Sequence, residues 1–232
     1  MIFDAWFRFN DIDSRQMGVR VTKMPETVRA ERRVERVEIA GRNGSLHVDE
    51  GTYASYGRTM ECALINRRRL DEVAAWLVGS GKMIFSSEPD KAYDVMISNK
   101  ISIAQMMRTF QKFQVTMDTQ PFKRSVNPFG DTLELVKPQT VYNKGTVYAQ
   151  PKITVYGSGS ITLDINGTVF PLSGVDGHIT VDSGNMEVYR GSESQNSRFG
   201  GAEFPRLEAG RNAVSWTGNV EKLVIEPEWR WI

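Results

Sequence analysis

The chemistry open to this chain starts from two histidines, His47 and His178, one cysteine, Cys62, and many serines and carboxylates. A zinc site needs several His, Cys or acidic ligands at close spacing, and neither histidine has such partners in the sequence. Cys62 lies mid-strand in the alternating run "TMECALI". A small buried thiol is the ordinary reading there, and a nucleophile paired with a histidine the rarer one. It has no second cysteine for an internal disulfide, so the chain is expected to be made in a reducing cytoplasm. No Gly-x-Ser-x-Gly elbow occurs. "YGSGS" at 156–160 is glycine-rich but runs into a strand, so no helix N-terminus is there to hold a phosphate. The acidic groups of "VDEG" and "EPEW" read as solubility, and no glycosidase pair stands out among them. Asn43-Gly44-Ser45 and Asn166-Gly167-Thr168 fit the glycosylation pattern, but without a secretory signal they read as turns. The expectation is a chain without catalytic, cofactor-binding or metal-ligating residues, and so not an enzyme.

The elements that would position any such residues are mostly strands. The 232 residues suffice for one large domain or two small ones, and 40% hydrophobic with 25% charged residues is ordinary for a globular protein. No apolar run approaches the ~18–20 residues that cross a bilayer, so no membrane insertion is expected. Up to residue 124 there are 20 Lys+Arg against 16 Asp+Glu, and afterwards 9 against 12. Nine of the 10 methionines lie in the first part. The two parts are therefore expected to be separate domains, 1–124 and 139–232, joined by a linker at 125–138, "SVNPFGDTLELVKP". Neither is basic enough for a dedicated nucleic-acid binder.

In the first domain "IFDAWFRFN" alternates, with Phe3, Ala5, Phe7 and Phe9 on one face and Asp4, Trp6 and Arg8 on the other. Met60, Cys62 and Leu64 align likewise, as do Phe113, Val115 and Met117. One helix is predicted in "NRRRLDEVAAWLVGSG", with Leu70, Val73, Ala74 and Leu77 as its apolar stripe, Asn66 as N-cap, and Gly79 and Gly81 as the stop. Arg67 to Arg69 oppose the dipole of that helix. A turn is expected at Glu88-Pro89-Asp90, before a strand that puts Tyr93, Val95 and Ile97 on one face. In "ERVEIAGRNGSLHVDEGTY" Val37 and Ile39 alternate before the glycines, and Leu46 and Val48 after them. Asn43-Gly44 is read as the tip of a β-hairpin. "VRAERRVERVE" mixes Arg29, Arg32, Arg33 and Arg36 with Glu31, Glu35 and Glu38, which suits a solvated face and an inter-subunit contact about equally.

The second domain reads as about seven short strands without a helix, the pattern of a β-sandwich, with a hairpin at Asn166-Gly167. Its aromatic residues Tyr156, Tyr189, Phe199, Trp216, Trp229 and Trp231 are read mainly as core. Stacking of sugars on some of them is the alternative function, a carbohydrate-binding β-sandwich protein. A polysaccharide-degrading enzyme is a third reading.

Several segments together resemble the distal tail protein of long-tailed, non-contractile bacteriophages or prophages. They are "EIAGRNGSLHVDEGTY" followed by "RTMECALI", then "LDEVAAWLVGSGKMIFSSEPDKAYDVMI", "FQKFQVTMDTQPF" and "AGRNAVSWTGNVEKLVIEPEWRW". The resemblance spans nearly the whole chain in order. It implies a mainly β fold, with a β-rich N-terminal domain carrying one helix and a galectin-like C-terminal β-sandwich. It implies a structural protein of the virion, made in the host cytoplasm. Its N-terminal domains would form a ring, usually of six subunits, at the distal end of the tail tube. The partners implied are further copies of the chain, the tail tube protein, the tail-tip or baseplate hub protein and the tape-measure protein, with DNA only passing through the channel. No cofactor is implied. Within that frame the candidate subunit-interface residues are Arg29, Arg32, Arg33, Arg36, Arg42 and Asn43.

Overall fold

The computed structural model describes residues 5–98, 103–105, 111–126 and 131–232. Phe3 and Asp4 of the opening strand therefore lie outside the described residues, as does 127–130 of the expected linker. The fold is mainly β, and the chain divides into two compact units, Met1–Lys123 with Ile232, and Arg124–Trp231.

The first unit contains β1 (Phe7–Phe9), β2 (Ile12–Asp13), β3 (Val19–Lys23), β4 (Arg32–Glu38), β5 (Ser45–Tyr53), β6 (Tyr56–Leu64), α1 (Leu70–Trp76), β7 (Gly79–Phe85), β8 (Glu88–Ile97), β9 (Ile103–Gln105) and β10 (Gln111–Ser125). Its main sheet runs β2-β1-β7-β8-β10-β6-β3, with β9 beside β10. The alternating residues meet in register: Met60 faces Val115 and Cys62 faces Phe113 across β6 and β10. With Phe7, Phe9, Tyr93, Val95 and Ile97 they form one buried core. Burial pushes the Cys62 thiol pKa up to about 12, which keeps it protonated and unreactive.

α1 covers this core with Val73 and Leu77, while Ala74, expected in the stripe, is exposed. Trp76 takes its place. Its ring stacks on Phe7 at 5.4 Å, and its indole N–H donates to the Phe9 carbonyl at 3.1 Å. The helix is only seven residues long, because Arg67–Arg69 form a separate 3-10 turn ahead of it. Asn66 caps that turn, accepting from the Arg68 N–H at 3.1 Å, and not the helix. Arg69 donates to the Gln16 carbonyl and pairs with Glu72 at 3.6 Å, which offsets its poor placement on the helix dipole. Gly79 opens β7 in place of ending the helix.

The expected turn at Glu88-Pro89-Asp90 falls two residues earlier, at Ser86-Ser87, so Glu88 and Pro89 already belong to β8. Glu88 is held there by chemistry. It accepts from Lys123 Nζ at 2.8 Å and from the Tyr93 hydroxyl. Burial opposes its ionisation, but those two hydrogen bonds outweigh it and keep its pKa below the usual value. Tyr93 moves the other way, raised by burial and by its bond to Glu88.

The second unit contains β11 (Leu133–Leu135), β12 (Gln139–Asn143), β13 (Lys152–Ile165), β14 (Thr168–Asp182), β15 (Glu187–Arg190), β16 (Glu193–Ser194), β17 (Gly210–Glu226) and β18 (Arg230–Trp231). Its sheet runs β11-β17-β13-β14-β15-β16, with β12 also on β17. β11 lies within the stretch read as a linker. Asn166-Gly167 makes the expected tight hairpin, both residues at positive φ (55° and 85°).

The strands are longer than the short ones expected. β13, β14 and β17 have 14, 15 and 17 residues, because the register shifts around Gly157 and Gly159 are bulges inside continuous strands and do not end them. At these bulges the sheet curls, so that Ile153 and Val155 before the bend share one core with Ile161, Leu163 and Ile165 after it. A Cβ at Gly157 would stand 2.2 Å from the Asn219 carbonyl oxygen, so only glycine permits the crossing. Trp229 is buried in this core, and Phe199, Trp216 and Trp231 pack against it.

Two outcomes follow from these contacts. Gly157→Val is expected to destabilise the second unit by at least ~1–3 kcal/mol, read by denaturant unfolding. Glu88 has a depressed folded pKa, so its stabilisation is complete above the unfolded value and is lost as pH falls through the folded one. Glu88→Gln is therefore expected to lower stability at pH 7 and flatten its decline between pH 5 and pH 3; an unchanged acid limb in thermal melts would refute this.

Candidate assembly surface

One element stands apart from both cores. β4 and β5 form a two-stranded sheet of their own, paired from Glu38–Ser45 down to Arg32–Tyr53. The hairpin is tied at its base. Ala54 N–H donates to the Glu31 carbonyl at 2.9 Å, Ala30 is buried, and the Tyr53 ring meets Phe122 edge-on at 5.4 Å. Beyond the base almost every residue is exposed. The tip is broader than a tight Asn-Gly turn. Arg42 N–H donates to the Ile39 carbonyl at 3.1 Å, and Gly41 and Gly44 both take positive φ. A bulge near the base, where Gly51 turns back on the Asp49 carboxylate, shifts the register between Arg32 and Val34.

Cross-strand register sorts the side chains onto two faces. Glu35 with Val48 and Val37 with Leu46 make one face, on which apolar groups dominate. Val34 with Asp49, Arg36 with His47 and Glu38 with Ser45 make the other. Exposure is high on both: 43% for Val34, 43% for Ile39, 48% for Leu46 and 43% for Val48. A lone two-stranded hairpin is marginal in water, and open strand edges are usually covered or paired.

The six candidate interface residues do not form one patch. Arg29, Arg32 and Arg36 line an open groove of about 670 Å³ together with His47. Arg32 is engaged there, paired with Asp49 at 2.7 Å and lying over the Tyr53 ring at 5.5 Å. Arg33 lies at the register shift, and Arg42 and Asn43 lie in the tip loop. His47 hydrogen-bonds to the Ser45 hydroxyl at 3.1 Å. The apolar residues of the hairpin were not among the candidates. Their alternation was visible, but exposure on a sheet without a second layer leaves no trace in sequence.

No group of three or more His, Cys, Asp or Glu side chains capable of holding a metal occurs among the described residues. Also among them, no helix is long and apolar enough to cross a membrane.

No family model and no curated protein matches the chain. Its architecture is nevertheless one known from a phage adsorption apparatus. The chain superposes on the crystal structure of the SPP1 Dit protein (gp 19.1) with a TM-score of 0.75, covering 98% of this chain and 99% of that one. That protein is presented as a paradigm of the hub adsorption apparatus in phages infecting Gram-positive bacteria. At 13% identity the likeness is one of fold.

Because Leu46 and Val48 are exposed and belong to neither core cluster of the described residues, replacing both with serine is expected to change the stability of dilute protein by less than ~0.5 kcal/mol. Thermal melts at low concentration check this; a loss of several kcal/mol would mean that these side chains pack within the subunit.

Proposed function

We propose that this chain is a structural component of a phage tail, the distal tail protein at the end of the tail tube. The observation that carries the reading is the end-to-end match in fold with SPP1 Dit, both units included. The exposed hairpin supports it independently, since a mainly apolar face with open edges is what a subunit of a larger assembly presents. In this reading the first units associate into a ring, of six copies in the family it resembles, around a channel. The ring joins the tail tube protein on one side to the tail-tip or hub protein on the other. The tape-measure protein and then DNA pass through it, and the mature protein resides in the virion. The role is architectural, without turnover of a substrate. The division of labour is a ring-forming domain over 1–124 and a separate sandwich over 139–232.

Charge reversal of Arg32, Arg33 and Arg36 together is expected to weaken assembly at least tenfold in concentration while circular dichroism stays that of the folded subunit. Exposed charges contribute little to folding, so the two readouts separate. Sedimentation velocity across a concentration series decides it; an unchanged distribution of species would remove these arginines from the interface.

A further inference from the structure

The dipeptide Asn-Gly occurs twice in the chain, at Asn43-Gly44 and Asn166-Gly167, and the fold treats the two in opposite ways. The second is held at each atom that could react. Asn166 Nδ2 donates to Asn212 Oδ1 at 2.8 Å, and Asn166 Oδ1 accepts from the Ala213 N–H at 2.9 Å. The Gly167 N–H donates to the Asp164 carboxylate at 2.8 Å. Asn212, which grips the amide, is itself buried. The first pair sits in the tip loop between β4 and β5, where every residue from Ala40 to Ser45 is exposed. The Asn43 side chain makes no hydrogen bond among the described residues, and Gly44 lies beyond the last ladder pair, Glu38–Ser45. Gly44 has a φ of 83°, with nothing within 4 Å of where a Cβ would stand.

We infer that Asn43-Gly44 is a site of spontaneous modification by water, deamidation through a cyclic imide, and that Asn166-Gly167 is protected from it by the fold. The Gly44 nitrogen gives its proton to a solvent base and attacks Cγ of Asn43. The N–Cγ bond forms and the Cγ–Nδ2 bond breaks, and Nδ2 takes up a proton and leaves as ammonia. Water then opens the five-membered imide. Opening at Cγ leaves an aspartate; opening at the main-chain carbonyl leaves an isoaspartate, whose backbone runs through the side chain. No oxidant or cofactor enters. Three features favour the reaction at the tip. Glycine has no Cβ to obstruct the approach of its own nitrogen. The chain must turn about Asn43 to bring that nitrogen to Cγ, and exposed residues beyond the ladder do so at small cost. The charge of Arg42, next in sequence, favours the amide anion that attacks. At Asn166 the same turn would break both hydrogen bonds of the side-chain amide, and the Asp164 carboxylate opposes loss of the Gly167 proton. Each event sets a negative charge beside Arg42, and the isoaspartate also adds a methylene to the main chain of the tip. Old protein thus carries a hairpin tip chemically different from that of new protein.

Dilute full-length protein, kept folded in warm and mildly alkaline buffer, supplies the test. Samples taken over time are digested at acidic pH, where imide formation is slow. They are mapped by mass spectrometry with electron-transfer fragmentation, which tells isoaspartate from aspartate. Asn43 is expected to convert at least ~10-fold faster than Asn166, with isoaspartate the larger product. In denaturant the two sites are expected to convert at similar rates, because both have then lost their surroundings. Asn43→Gln is expected to abolish the isoaspartate and to leave the thermal melt of the fresh protein unchanged. Retention of Asn43 in the folded protein, over the time in which it is lost in denaturant, overturns the proposal. Conversion of Asn166 as fast as Asn43 in the folded protein overturns it too, as does isoaspartate that persists in Asn43→Gln.

Discussion

An uncovered β-hairpin is the constraint on which the rest depends. Two strands with no second layer bury little apolar surface, and the entropy of ordering some twenty residues has to be met from elsewhere. Within the subunit the β4–β5 pair is anchored at its base by Ala30, Tyr53 and Phe122. Beyond that base almost every residue of the pair is exposed. The bulge at Gly51, the broad tip and the separation of a mainly apolar from a charged face all lie outside the two buried cores.

The main sheet is built to support such an arm. β6 follows the hairpin directly, and its inward residues Met60, Cys62 and Leu64 lock into the core opposite β10. Arg58, held between two aromatic rings, ties the irregular segment that leads into the hairpin to β6, the strand that leaves it. The Glu88–Lys123–Tyr93 cluster closes the same region with charge-assisted hydrogen bonds. The second unit solves a separate problem. Its long strands bend over their own glycines, so one curled sheet encloses a core that two flat sheets would otherwise have to share.

Much of this was legible in the sequence, and the misses have a common cause. Period-2 runs located β1, β6, β8 and β10 with the correct inward faces, because those strands pack on one side. Asn166-Gly167 named its own turn, since few residues other than Asn and Gly accept two successive positive φ values. In the second unit, Gly157–Gly159 and Gly174–Gly177 carry the same local signal whether they end a strand or bulge it. Only the partner strand decides, and it lies far along the chain. Ala74 looked like a core residue by spacing, but Trp76, two positions on and so on the other flank of the stripe, packs on Phe7 and turns the buried face away from Ala74. The interface arginines were picked by charge density. Register then distributed them between a groove, a bulge and a tip loop, and brought forward the apolar residues between them.

Hydrogen exchange along β4 and β5 of the full-length protein, measured at high and at low concentration, tests the central claim most directly. If neighbouring copies cover the hairpin, amides between Arg32 and Tyr53 are expected to exchange slowly in concentrated protein and quickly on dilution, while those of β6 and β10 stay protected throughout. Equal exchange of the hairpin at both concentrations, in a protein whose core remains protected, would contradict it.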